Sequence, residues 1–210
     1  MPQSSTWVVK LGGSLWRSPA LRAWLAVLAT STRPCVIVPG GGCFVDAVAA
    51  TQAHWRYSDN AAHQMAVLSM AQYGLMLGAL EPRLCVTDFA SLAAGSNAGN
   101  CLYLPTLADC AAMADLPWDW SVSADSVALW LAGTIDAAAL VLVKAGPPAC
   151  QSADSLALAE EGFIDRHFAQ LQRRVNLPVT WFATGEVGRF QEALQLSEVN
   201  FPDRLIQASC

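Results

Sequence analysis

The sequence has no apolar run long enough to span a bilayer. Its greasiest segment, about Ala61 to Leu80, is broken by Gln64, Ser69, Gln72 and Gly74, short of the roughly 18 uninterrupted residues a spanning helix needs. No membrane partner is expected. There is no C-x-x-C pair: Cys35, Cys43, Cys85, Cys101, Cys110, Cys150 and Cys210 are dispersed and odd in number. That pattern argues against a disulfide framework and fits reduced thiols. The opening Met1-Pro2-Gln3 has no basic n-region, so a cytoplasmic protein is expected. The net charge is -5 with no basic stripe, which argues against a nucleic-acid partner. His54, His63 and His167 lack metal-ligand spacing such as H-E-x-x-H, and no protein metal site is expected. The P-loop pattern G-x-x-x-x-G-K-[ST] is missing. So is G-x-G-x-x-G, because Cys43 and Phe44 follow the glycines at Gly40 to Gly42 where a dinucleotide turn wants space. A nicotinamide dehydrogenase is therefore disfavoured. Charged residues make up only 14% of the chain and hydrophobic ones 54%, a composition that builds one sizeable core rather than a disordered chain.

What is present is a pair of strand–glycine–helix junctions. Trp7-Val8-Val9-Lys10-Leu11 runs into Gly12-Gly13-Ser14, and Cys35-Val36-Ile37-Val38-Pro39 runs into Gly40-Gly41-Gly42. β-Branched apolar runs read as buried strands. Helices are expected from Pro19 to about Ala29, Cys43 to about His54, Asn60 to about Leu80 behind the Ser58-Asp59 cap, and Ala124 to Leu131 behind Ser123 and ended by Gly133. Ala139 to Val143 and Val179 to Phe182 read as strands. Asp88 to Ala94, Leu107 to Ala114, Ala153 to Glu160, Phe163 to Arg174 and Gly188 to Leu194 read as further helices. Strands alternating with helices give an α/β fold, a three-layer αβα sandwich on a mainly parallel sheet. One domain is expected over 1–210, with an acceptor-side lobe to about 115 and a nucleotide-side lobe after it.

Glycines serve a phosphate site in two ways: they allow positive φ, and they leave backbone N–H groups open to a polyanion. One such turn alone is an ordinary tight turn. Two of them, with Lys10 at the end of the first strand, point to phosphate, because a buried ammonium needs an anion. Lys144 has the same placement on a later strand, though its Gly146 neighbour says less. Asp125 taken alone reads as a helix N-terminal acid favoured by the dipole. Asp59 and His63 are spaced to pair along a helix, and the Trp118/Trp120 pair reads as loop packing.

Taken together, Val8 to Ser14, Val36 to Gly42 and Ser121-Val122-Ser123-Ala124-Asp125-Ser126 resemble, in this order, three signatures of the amino acid kinase family. Phe44 to Val48, Tyr57 to Ala66 and Ala71 to Tyr73 resemble the branch that phosphorylates (5-(aminomethyl)furan-3-yl)methyl phosphate in methanofuran-type cofactor biosynthesis. The resemblance implies a kinase using ATP and Mg2+ on a small phosphorylated acceptor, and a homo-oligomer, with the helix from Ala61 to Leu80 as one possible interface. By resemblance, Lys10, Asp125 and Lys144 are catalytic. Gly12, Gly13, Ser14 and Lys144 hold the nucleotide. Gly40, Gly41 and Gly42 hold the acceptor phosphate. Asp46, Asp59 and His63 are candidate acceptor contacts by position alone, since they lie beyond the second glycine turn. Where much of the family has L-T-D-x-x-G, this chain has Val143-Lys144-Ala145-Gly146-Pro147-Pro148, and its nearest match to the family's second-lysine segment ends in Arg166. Either Lys144 or Arg166 must then supply the second cation. A non-catalytic anion- or nucleotide-binding protein, and an amino acid or nucleoside monophosphate kinase, remain the alternatives.

Overall fold

The computed structural model describes residues 5–95, 99–150, 152–196 and 204–208. Residues 96–98, 151, 197–203 and 209–210 fall outside those residues. Six strands, β1 (Trp7–Leu11), β2 (Cys35–Pro39), β3 (Cys85–Thr87), β4 (Cys101–Tyr103), β5 (Ala139–Lys144) and β6 (Val179–Ala183), form one sheet in the order β3-β4-β2-β1-β5-β6. Every pairing is parallel. The helices are α1 (Leu21–Ala29), α2 (Gly42–Trp55), α3 (Asp59–Leu80), α4 (Phe89–Ala93), α5 (Leu107–Ala112), α6 (Ala124–Thr134), α7 (Ser155–Glu160), α8 (Phe168–Gln172) and α9 (Val187–Ala193).

Parallel sheets are covered on both faces, so their strands are apolar throughout rather than alternating. β1 and β2 are buried along their whole length. Trp7, Val9, Leu11, Ile37, Val141 and Val143 pack on one side with Trp24, Leu25 and Leu28 of α1 and Phe190 of α9. Val8, Val36, Val38, Leu140 and Leu142 pack on the other with Val127 and Leu131 of α6. The helix α3 reaches both layers: Val67 and Met70 join the α6 side, Tyr73 and Leu77 the α1 side.

Strand order reverses at β1, whose successor β2 lies on one side and β5 on the other. In open parallel sheets the crevice at the carboxyl ends of the strands beside such a reversal is where ligands bind. Lys10, Gly12, Gly13, Gly40 to Gly42 and Lys144 all fall there.

Three expected elements differ. The helix α6 runs through Gly133 to Thr134 and stops before Asp136, whose φ is 49°. A Cβ on Gly133 would sit 2.9 Å from Val175 Cγ1, so this glycine makes room for a neighbour and does not end the helix. The helix expected from Phe163 begins only at Phe168, because Gly162 has φ 77° and the Asp165 carboxylate and carbonyl both accept from Phe168 N–H, opening a new turn. α7 starts at Ser155 rather than Ala153, since Asp154 takes the cap position and accepts from the Leu156 and Ala157 amides. The six described cysteines are all free thiols.

Candidate active site

Side chains alternate along a strand, so Val8 and Lys10 share one face of β1, and Leu140, Leu142 and Lys144 share the same face of β5. In the β1/β5 register Lys10 stands opposite Leu142, which puts Lys144 one pleat further along the neighbouring strand. The helix α6 covers this face, and its first turn carries Asp125. Geometry follows from that layering. Lys144 Nζ donates to Asp125 Oδ2 at 2.6 Å, and Lys10 Nζ lies 2.8 Å from Oδ1. The Lys144 contact is an aligned hydrogen bond. The Lys10 contact is an ion pair. An ammonium carries three donors, so Lys10 keeps donor capacity for another anion.

Burial alone would raise the Asp125 carboxyl, but the charges of Lys10 and Lys144 outweigh it and hold it down at about 2. Lys144 is held below the ordinary lysine range, first by burial and then by repulsion from Lys10, with Asp125 opposing both. One carboxylate therefore holds two ammonium groups together in a dry place. The cation that joins Lys10 on Asp125 is Lys144. Arg166 is exposed and lines another groove, which Asp125 also borders.

α6 is fixed in position from outside. Asp165 accepts from Ser123 N and Oγ, at 3.0 and 2.8 Å, and from Ser126 N and Oγ, at 3.0 and 2.6 Å. Its own carboxyl is pushed up by burial and by the nearby Asp125 charge, against those hydrogen bonds. Nothing local in the sequence marks Asp165, because the groups it clamps lie about forty residues away.

The two glycine turns touch through their backbones. A Cβ on Gly13 would sit 2.9 Å from Gly42 N, and one on Gly12 would sit 2.6 Å from Val143 O. Among the described residues, the N–H groups of Gly13, Ser14, Gly41 and Gly42 meet no acceptor. Gly42 opens α2 without a side-chain cap and with φ 58°. A capless helix start beside open amides is an anion site in waiting. Gly40 makes the tightest backbone contact, with a Cβ there falling 2.5 Å from Gly13 N and 2.9 Å from Gly13 Cα. Gly40→Ala should therefore push the turns apart and lower stability by about 1–3 kcal/mol, whereas Gly146→Ala, which meets open space, should leave the melting temperature unchanged. Thermal melts of the two variants check this; equal melting would refute the close approach of the turns.

Two cavities meet at these residues. The first, about 520 Å³, is lined by Lys10, Gly13, Ser14, Gly40 to Gly42, Asp46 and His63, with an apolar wall that includes Trp16, Val67, Met70, Trp120 and Val127. The second, about 410 Å³, is lined by Lys10, Gly12 to Ser14, Lys144 to Ala149 and Glu161 to Phe163. Lys10, Gly13 and Ser14 belong to both. Both halves of the chain contribute to the first cavity. Asp46 is exposed at its edge.

Asp59 is not brought to the first cavity. It stands exposed at the start of α3, accepts from Gln52 Nε2 at 2.8 Å, and lines neighbouring grooves. It does not pair with His63 either. His63 instead stacks on Trp118 with ring centroids 5.9 Å apart, while Trp120 donates to Gln52 Oε1 at 2.6 Å. The aromatic loop is thus a wall of the site as well as packing. Among the described residues no three His, Cys, Asp or Glu side chains gather as a metal cage.

No family model matches the chain, and no curated protein does. Solved structures do. UMP kinase from Bacillus anthracis aligns with a TM-score of 0.68 at 13% identity, covering 90% of this chain and 91% of that one. Uridylate kinase from Archaeoglobus fulgidus aligns with a TM-score of 0.68 at 15% identity, covering 91% and 96%. Aspartate kinase from Synechocystis aligns with a TM-score of 0.62 at 13% identity, covering 86% of this chain and 38% of that one. The chain has the fold of the amino acid kinase family.

Proposed function

We propose that this protein is an ATP-dependent phosphotransferase acting on a small phosphorylated acceptor. The observation that carries the reading is Lys10: it is paired with Asp125 and lines both cavities, with the open amides of the glycine turns beside it. Transfer between two phosphate-bearing ligands needs mostly positioning and charge neutralisation. In this reading the second cavity takes the nucleotide, held by Gly12, Gly13, Ser14 and Lys144. The first takes the acceptor, with its phosphate at Gly40 to Gly42. Lys10 spans the γ-phosphoryl group and the attacking phosphate oxygen, and Asp125 sets the angle of both lysines. Magnesium would arrive with the nucleotide's phosphates, its usual carrier, and would neutralise charge there.

The acceptor we favour is (5-(aminomethyl)furan-3-yl)methyl phosphate, giving its diphosphate. The largely apolar wall of the first cavity suits a small ring, and Asp46 at its edge suits an ammonium. A nucleoside monophosphate is the second reading, and it is the one the names of two structural neighbours, UMP kinase and uridylate kinase, favour. Lys144 on Asp125 supports the catalytic reading over a non-catalytic one, since it sets a second cation beside Lys10. The test is ADP release with Mg-ATP and each of the two acceptors. Release with the furan phosphate and not with UMP supports the favoured acceptor, and the reverse supports the second. Release with neither rejects both acceptors.

Met65, Leu68 and Leu75 are exposed along α3, and this stripe supports the homo-oligomer reading. Among the described residues no helix is long and apolar enough to cross a membrane.

A further inference from the structure

His63 is a buried polar residue that the phosphate chemistry leaves unused. It is 7% exposed and lines the first cavity from α3, not from either glycine turn. Its ring stacks on Trp118. Nε2 is buried and has no partner among the described residues. A neutral imidazole carries its proton on one nitrogen and a lone pair on the other; the Asp119 backbone favours a proton on the ring, and with Nε2 unpartnered we assign that proton to Nδ1 and the lone pair to Nε2. Burial lowers the imidazole's affinity for a second proton, and the Asp119 interactions only partly oppose this. The apolar lining of that cavity, Ala66, Val67, Met70 and Val122 among it, has no side-chain donor, and its donors, such as Lys10, Ser14 and Ser123, do not bond Nε2. Buried polar atoms in native proteins almost always have a partner. A cavity-lining one without a partner is a place where a ligand supplies it.

We propose that His63 is a specificity residue: its Nε2 accepts a hydrogen bond from an N–H or O–H group on the acceptor's body, so the cavity selects phosphate monoesters that carry such a donor. The proposal rests on the reading of the first cavity as the acceptor site. It goes further by stating what the acceptor must carry besides phosphate. A pocket built this way rejects an isostere lacking the donor, because binding it leaves Nε2 dry and unpaired.

Three probes of one shape separate the sources of selectivity: 3-(aminomethyl)benzyl, 3-(hydroxymethyl)benzyl and 3-ethylbenzyl phosphate. Calorimetric titration of the full chain should show the first two binding at least tenfold more tightly than the ethyl compound. His63→Phe, which keeps an aromatic ring against Trp118, should erase that preference, and His63→Gln, which restores an acceptor oxygen, should recover part of it. Thermal melts confirm that both variants are folded. A preference for the amine alone would assign selectivity to the Asp46 carboxylate and overturn the proposal. So would equal binding of all three, no binding of any, or a preference that survives in His63→Phe. ADP release with the acceptors tested above does not depend on this preference. Release without any donor preference would sink the role of His63 and leave the kinase reading standing.

Discussion

Asp125→Asn should cost both stability and turnover. The amide keeps the shape of the carboxylate but leaves two buried ammonium groups without an anion. Removing one partner of a buried ion pair costs about 3–5 kcal/mol. For a chain of this size that lowers the melting temperature by roughly 10 °C. Part of the penalty is escaped if one lysine gives up its proton. Lys144, already held below the usual range, is the one to do so. A double variant, Asp125→Asn with Lys144→Met, should therefore recover much of the lost stability and none of the activity. Acid has the matching effect on the wild type. The Asp125 carboxyl sits at about 2 when folded, against 3.8 for a free group. A depressed folded value means stability that is fully present above 3.8 and is lost as pH falls through 2. Its size is about 2 kcal/mol, and that portion should be missing from the pH profile of Asp125→Asn. Urea melts from pH 5 down to pH 2 measure it. Identical profiles for the two proteins would contradict the buried triad.

Lys10→Ala should behave oppositely, losing turnover while keeping the fold. Asp125 retains Lys144, so no charge is stranded, and the stability change should be on the order of 1 kcal/mol. The phosphoryl group in flight loses the cation shared by both cavities, and turnover should fall by roughly a thousandfold or more, in line with other preorganised cations and donors. Lys10→Arg should not rescue it, because a guanidinium is larger and points its donors in a fixed fork. Turnover retained in Lys10→Ala would remove Lys10 from the mechanism. Turnover is the informative readout, since a merely structural triad would let Lys10→Ala, which keeps the fold, keep its turnover as well.

The strands and glycine turns were legible because their causes are local. Val8-Val9 and Val36-Ile37-Val38 bury on both faces, and a glycine must follow where Gly13 and Gly42 touch. The meeting of Lys10, Asp125 and Lys144 was legible only through resemblance. On its own sequence Asp125 looks like a helix-start acid, and it takes the covering of β1 and β5 by α6 to bring it to the lysines. Asp59 stands at a helix start, which sequence alone cannot tell from a cavity lip. Ser58 caps the helix, and Asp59 accepts from Gln52 and does not line the first cavity. Asp165 was invisible for the opposite reason: its partners Ser123 and Ser126 are distant in sequence, and only the fold joins them. Gly133 shows a third limit. A glycine demanded by Val175 cannot be told, in sequence, from one that ends a helix.

The central claim is that two ligands sit side by side and meet at Lys10. The direct measurement is a calorimetric titration of a non-hydrolysable Mg-ATP analogue into the protein, followed by titration of the furan phosphate, or UMP, into the resulting complex. The account predicts one site for each ligand, both occupied at once. Mutually exclusive binding, or binding of neither ligand to folded protein, would contradict it.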